Sequence, residues 1–292
     1  MMNVGIIGLG LMGSSLALAI NKYCQDINIY GYDKNRENLD YVLSNSIITD
    51  VLNKDRLSVL DLIFLAVPVR ASIEVVEEIR PYLNAERTLL TDLGSTKSYI
   101  CREIKERFPD LYFIGGHPMT GRETSGPFTA DADLFLNKSY LLISDSGGRD
   151  SREEKLIRIL ERIGARIIFI DSERHDDLVA LTSHLPHLIA TALMNEVIKY
   201  EREFPEISKL MGQGFRDFTR IAASSPEVWR DIFLTNREFI IDKIDRIINA
   251  LQFFKNSLLQ EEERELTILL EAAREKRALL QKELWEGTNN VL

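Results

Sequence analysis

Apolar and polar positions change their rhythm near residue 171. Before it, short apolar runs of strand length alternate with amphipathic stretches of helix length. Residues 3–8, 27–32, 61–68, 87–92, 111–114, 140–143 and 167–170 have the pattern of buried strands. Residues 14–24 and 71–80 carry helical patterns between them. This alternation predicts a doubly wound α/β domain over residues 1–171. Beyond Asp171 the strand runs cease. Ile240, Ile244, Ile247, Leu251, Phe254 and Leu258 recur at three- and four-residue steps, and 261–285 is a second long amphipathic stretch. Residues 172–292 are therefore expected to form an all-helical domain. Such apolar-faced helices suit an intrachain core or a homodimer interface.

The first strand run leads directly into Gly8-Leu9-Gly10-Leu11-Met12-Gly13, with a helix pattern behind it. In a G-x-G-x-x-G turn between strand and helix, the first glycine permits the tight turn. The second admits a pyrophosphate against the backbone, and the third lets helix and strand pack closely. Residues 8–13 thus mark a Rossmann-type dinucleotide site. Asp33 ends the second strand run, 20 residues beyond Gly13. A carboxylate there accepts from ribose hydroxyls and repels a 2′-phosphate, which favours NAD over NADP, although Lys34 and Arg36 stand close by. Asp33 could also cap the next helix, a role compatible with the first.

The chain has 292 residues and a formal net charge of −9, which argues against a nucleic-acid partner. Hydrophobic content of 45% and charged content of 28% describe an ordinary globular protein, long enough for two cores. Cys24 and Cys101 stand in no metal or redox spacing, as suits thiols in a reducing compartment. No leader pattern opens the chain and no uncharged apolar run reaches membrane-spanning length, so a cytoplasmic location without a membrane partner is expected.

Candidate chemistry gathers in four places. His117, one of four histidines, is expected on a loop between Gly115-Gly116 and Pro118, after the fifth strand run. Ser95 and Thr96 follow the strand run ending at Asp92, and one of them is expected to cap the next helix. His175, His184 and His187 share one segment but match no metal-binding spacing, so capping and core roles are expected for His175 and His184, and His187 is placed beside a cleft. Arg216 and Arg220 lie four apart; Arg220 is the better candidate for clamping a carboxylate, and Arg216 for a local ion pair. Trp229 is expected in the core or in a cleft wall.

Together, residues 8–13, 92–97, 116–121, 183–187 and 215–222 resemble prephenate dehydrogenases. The resemblance spans nearly the whole chain and implies NAD(P)-dependent oxidative decarboxylation of prephenate to 4-hydroxyphenylpyruvate, in tyrosine biosynthesis. It implies His117 as the catalytic histidine at the ring hydroxyl, and Ser95 as the serine positioning that hydroxyl and the nicotinamide. Arg220 matches the arginine binding a substrate carboxylate, His187 the histidine near the pyruvyl side chain, and Glu123 an acidic gate residue of some members. Gly8, Gly10, Leu11, Met12, Gly13 and Asp33 would hold NAD, with no metal. Neither an ACT domain nor a chorismate mutase segment is expected. Arogenate is a rival substrate. A β-hydroxyacid dehydrogenase is disfavoured because residues 175–195 lack the lysine such enzymes use. A non-enzymatic NAD-binding protein is the alternative from another class.

Overall fold

In the computed structural model, residues 1–122, 124–144 and 150–289 are described, with side chains through residue 281. The chain runs through β1 (Met2–Ile7), α1 (Leu11–Tyr23), β2 (Ile27–Tyr32), α2 (Arg36–Ser44), β3 (Asp50–Val51), α3 (Lys54–Leu57) and β4 (Leu62–Leu65). It continues through α4 (Val69–Ile79), β5 (Leu89–Asp92), α5 (Ser98–Arg107), β6 (Tyr112–Pro118), β7 (Ser139–Ile143), α6 (Ser151–Arg162) and β8 (Arg166–Phe169). The eight strands form one sheet in the order β3-β2-β1-β4-β5-β6-β7-β8. Its first six strands, all parallel, have the order of a dinucleotide-binding sheet. β7 then pairs antiparallel to β6, and β8 parallel to β7.

Alternation along the strands divides the core between two faces. Val4, Ile6, Leu62 and Phe64 pack on one side with Leu16 and Ile20 of α1. Ile7, Ile63 and Leu65 pack on the other with Ile73 and Val76 of α4 and Ile100 of α5. The fifth strand run is longer than its apolar residues suggest. β6 extends through Gly115, Gly116 and His117 to Pro118, with His117 opposite Leu141 of β7. Glycine and proline are poor strand formers, which is why this stretch reads as a loop. Gly116 is there for space: a Cβ would lie 2.5 Å from the Asp92 carbonyl oxygen. His117 is thus a strand residue held by a ladder, not a loop residue.

Helical structure follows: α7 (Ser172–Val179), a π-helical turn over Ala180–His184, α8 (Leu185–Glu201), α9 (Gln213–Thr219), α10 (Pro226–Thr235), α11 (Arg237–Leu259) and α12 (Glu263–Asn289). Met1–Ile240 form one compact unit, so α7 to α10 belong with the sheet; Ile241–Leu292 form a second unit. Within that second unit Ile241, Ile248, Leu251, Leu258, Ile268 and Leu270 are each at least half exposed. Among the described residues no helix is long and apolar enough to cross a membrane.

Candidate active site

Residues just past the ends of β1, β4 and β5, together with His117 near the end of β6, meet at the sheet's carboxyl edge. There Gly10, Ala66, Leu93, Ser95 and His117 line one cavity of about 710 Å³. This is the edge where open parallel sheets bind ligands. Helical residues complete the wall, among them Ser183, His187, Ile221 and Trp229.

The glycine loop divides its labour as the spacing predicts. A Cβ on Gly13 would meet the Gly8 carbonyl oxygen at 1.9 Å, and Gly8 itself has φ +96°. Gly10 has nothing within 4 Å of its absent Cβ, and with Leu11 and Met12 it borders the cavity. α1 has no acidic residue in its first turn and no side-chain cap. Its orphan N–H groups and positive dipole end therefore suit an anion, and the loop fits a dinucleotide diphosphate. Asp33 does not cap α2; Asn35 does, accepting from the Glu37 N–H at 2.9 Å. Instead Asp33 accepts from the Leu9 N–H at 2.6 Å and the Asn35 N–H at 2.7 Å, which braces the glycine loop. Asn38 donates to the same carboxylate at 3.3 Å. A carboxylate has about four acceptor positions, so capacity for another donor remains.

His117 stands at the end of a buried chain of hydrogen bonds. Its Nδ1 lies 2.8 Å from His175 Nε2, and His175 Nδ1 lies 2.7 Å from Asp176 Oδ1. Both His175 and Asp176 are fully buried. Burial pushes the Asp176 carboxyl up, but the bonds from His175 and from the Lys97 and Ser98 N–H groups outweigh it and hold the group below the usual carboxylate range. An ionised Asp176 only accepts, so His175 Nδ1 carries the proton it donates. His175 Nε2 is then an acceptor, and His117 Nδ1 donates to it. The lone pair of His117 falls on Nε2, the nitrogen outside this chain. Burial, followed by His175, Lys97 and His184, holds the His117 pKa well below its ordinary 6.5.

Asp176 has a second task. It accepts from the backbone N–H groups of Lys97 and Ser98, both at 2.8 Å. Neither Ser95 nor Thr96 caps α5, because Lys97 occupies the N-cap and a distant carboxylate supplies the acceptor. Thr96 instead shares a 2.8 Å hydrogen bond with Thr235 of α10. Ser95 is half-buried and borders the cavity. Lys97 Nζ pairs with Asp92 and donates to the Gly116 carbonyl at 2.7 Å. Asp92 in turn accepts from the Gly94 and Gly116 N–H groups at 2.9 and 3.0 Å. This buried pair fastens the end of β5 to the backbone immediately before His117.

His187 stacks on Trp229 with ring centroids 3.5 Å apart and planes 13° from parallel, and both rings line the cavity. Burial lowers the His187 pKa, with the Ile221 carbonyl partly opposing, so the ring is neutral at pH 7. Its Nε2 is buried without a hydrogen-bond partner among the described residues, an atom suited to a ligand. His184 belongs to the core: its Nδ1 lies 3.0 Å from Asn236 Nδ2, and burial brings its pKa to about 4. Arg220 begins a 3₁₀ turn and is exposed; Ile221 beside it borders the cavity, while Arg220 is not among the lining residues. Arg216 lies on α9, where the neighbouring Asp217 accepts from Gln213 at 2.7 Å. Glu123 lies outside the described residues.

Comparison with known proteins matches residues 16–169 to the prephenate dehydrogenase nucleotide-binding domain and 171–272 to the prephenate dehydrogenase dimerization domain. The chain belongs to the prephenate dehydrogenase family. It is 33% identical over 265 residues to a Zymomonas mobilis cyclohexadienyl dehydrogenase, covering 89% of each chain. It is 36% identical to a Lactococcus lactis prephenate dehydrogenase, over 84% of this chain and 68% of that one. The structure of A. aeolicus prephenate dehydrogenase, in complex with hydroxyphenyl propionate and NAD+, superposes with a TM-score of 0.88 at 32% identity. That match covers 96% of this chain and 98% of the other. Enzymes of this family are NAD(P)-dependent dehydrogenases, and the eight-stranded sheet followed by helices is the family architecture.

Within this family frame, three groups escaped sequence reasoning: the His175–Asp176 pair behind His117, the Asp92–Lys97 pair beneath it, and Arg122 in the cavity wall. Adjacent His175 and Asp176 in a histidine-rich segment were the one available signal. Nothing in their spacing points to a partner 58 residues away.

Proposed function

We propose that the chain catalyses oxidative decarboxylation of prephenate to 4-hydroxyphenylpyruvate with NAD. The observation that carries it is the neutral His117 in a cavity shared with an open glycine loop, its Nε2 lone pair left free by the His175–Asp176 chain. NAD supplies the acceptor for the hydride that leaves the ring carbinol carbon. His117 takes the hydroxyl proton at Nε2 as that C–H bond breaks, and His175 with Asp176 holds the imidazole in the required tautomer and stabilises its charged form. The carbinol carbon thus becomes a ring carbonyl. Loss of the ring carboxylate as carbon dioxide then pushes its electron pair through the ring onto that oxygen, and the phenolate so formed takes the proton back from His117. The protein's share is alignment: Ser95 holds the hydroxyl, His187 offers Nε2 to the side chain, and Arg220 binds a carboxylate. Glu123 is carried over from the family resemblance alone, as an acidic gate residue.

Prephenate is taken as the substrate ahead of arogenate because the family match and the Lactococcus lactis relative both carry that name. The cyclohexadienyl dehydrogenase relative makes arogenate the substrate to test beside it. Assays of both acids with NAD and NADP are expected to give the highest kcat/KM for prephenate with NAD. In the same assays Arg220→Ala should chiefly raise the KM for prephenate. Preference for arogenate, or an unchanged KM, would count against the respective assignment.

The helices after Asp171 are proposed to join two copies into a homodimer, given the match to a dimerization domain and the exposed apolar positions of α11 and α12. Light scattering should then give twice the 33.4 kDa chain mass, and a single-chain mass would exclude it.

A further inference from the structure

Arg122 is the one charged side chain among the described residues that line the cavity. A dinucleotide brings a doubly negative diphosphate into a protein of net charge −9, so a lone cation there has a strong electrostatic role. Its position is fixed by contacts leading to α1. The guanidinium pairs with Asp131 through Nη2, and Nη1 donates to the Thr129 carbonyl at 3.4 Å. The Asp131 N–H donates to Ser15 Oγ, in the second turn of α1, at 3.0 Å. Two residues further on, Asp133 accepts from Lys22 Nζ at 2.7 Å and from the Tyr23 hydroxyl at 2.6 Å. These bonds strap the segment along α1, and Arg122 lines the same cavity as Gly10, Leu11 and Met12, where that helix begins. That end has no side-chain cap and no acidic residue in its first turn.

Resting on the NAD reading above, we propose that Arg122 is the counter-charge for the dinucleotide diphosphate, with Asp131 as its partner when no nucleotide is bound. A planar guanidinium matches adjacent phosphate oxygens bidentately, and the α1 N–H groups take the remainder. Asp131 then competes with the diphosphate for Arg122. Substitutions of the two partners should therefore act in opposite directions, whereas in a merely structural ion pair they would act alike.

The test is titration of the full-length protein with NADH, read by nucleotide fluorescence without substrate, at low and raised ionic strength. Arg122→Gln should weaken NADH by on the order of tenfold to a hundredfold, the range for a hydrogen-bonded charge. It should also flatten the salt dependence. Arg122→Lys should retain part of the affinity. Asp131→Asn keeps an acceptor for the Asp133 N–H but loses its charge, and should bind NADH at least as tightly as wild type. Competition by ADP-ribose should weaken in Arg122→Gln while competition by adenosine does not. Unchanged NADH affinity in Arg122→Gln, equal weakening in Asp131→Asn, or an effect confined to the KM for prephenate would each overturn the proposal. Wild-type protein that binds no NADH would instead overturn the NAD reading itself.

Discussion

Replacing His117 by asparagine is expected to lower kcat by about 10²–10⁴-fold, the usual span for a general base. Asparagine has similar reach and its amide can still donate to His175 Nε2, so the buried chain keeps a partner while the basic lone pair is lost. NADH affinity should stay near wild type, which separates loss of chemistry from loss of fold. Wild-type turnover would refute the assignment. The pH profile gives an independent check. A base must be neutral to accept a proton, and His117 has its pKa held well below 6.5 by burial, His175, Lys97 and His184. The acid limb of kcat/KM due to this group should therefore lie well below pH 6.5, with activity flat through that value. An acid limb assigned to His117 at or above 6.5 would contradict the geometry.

Lys97→Met should cost about 3–5 kcal/mol of stability, the range for removing one partner from a buried ion pair. Lys97 is 0% exposed and its partner Asp92 1%. Methionine fills much of the lysine stem but leaves a buried carboxylate with only the Gly94 and Gly116 N–H groups. Adding Asp92→Asn should recover part of the loss, because the stranded charge disappears. Urea unfolding of the two single variants and the double variant measures this coupling. Strict additivity would show that the pair is not one unit. Catalysis should respond as well, since the Lys97 charge helps depress the His117 pKa. The variant's acid limb should move to higher pH.

Most of the fold was legible in the residues, because long apolar runs and a strand-loop-helix glycine motif are local signals. The glycine roles follow directly from backbone space at Gly8, Gly10 and Gly13. His117, Ser95 and His187 were recognised individually, and all three line one cavity. Less legible were features in which distant residues replace a local one. Ser95 and Thr96 look like helix caps, yet Asp176 supplies the acceptors 78 and 79 residues away. Gly115-Gly116-His117-Pro118 looks like a loop, yet β7 pairs with it and makes it strand. Such substitutions depend on tertiary packing, which neither periodicity nor propensity encodes.

The two tasks of Asp176 tie folding to chemistry. Its carboxylate completes the start of α5 and sets the proton order of two imidazoles, so the base proposed above would take its reactive form only after α7 docks. A chain ending before residue 172 would retain all eight strands and the glycine loop. It would nevertheless lack both His175 and Asp176, leaving His117 free to sample either tautomer. On the proposed mechanism, nucleotide binding and proton abstraction would thus be separable inheritances, the first from the sheet and the second from its union with the helices.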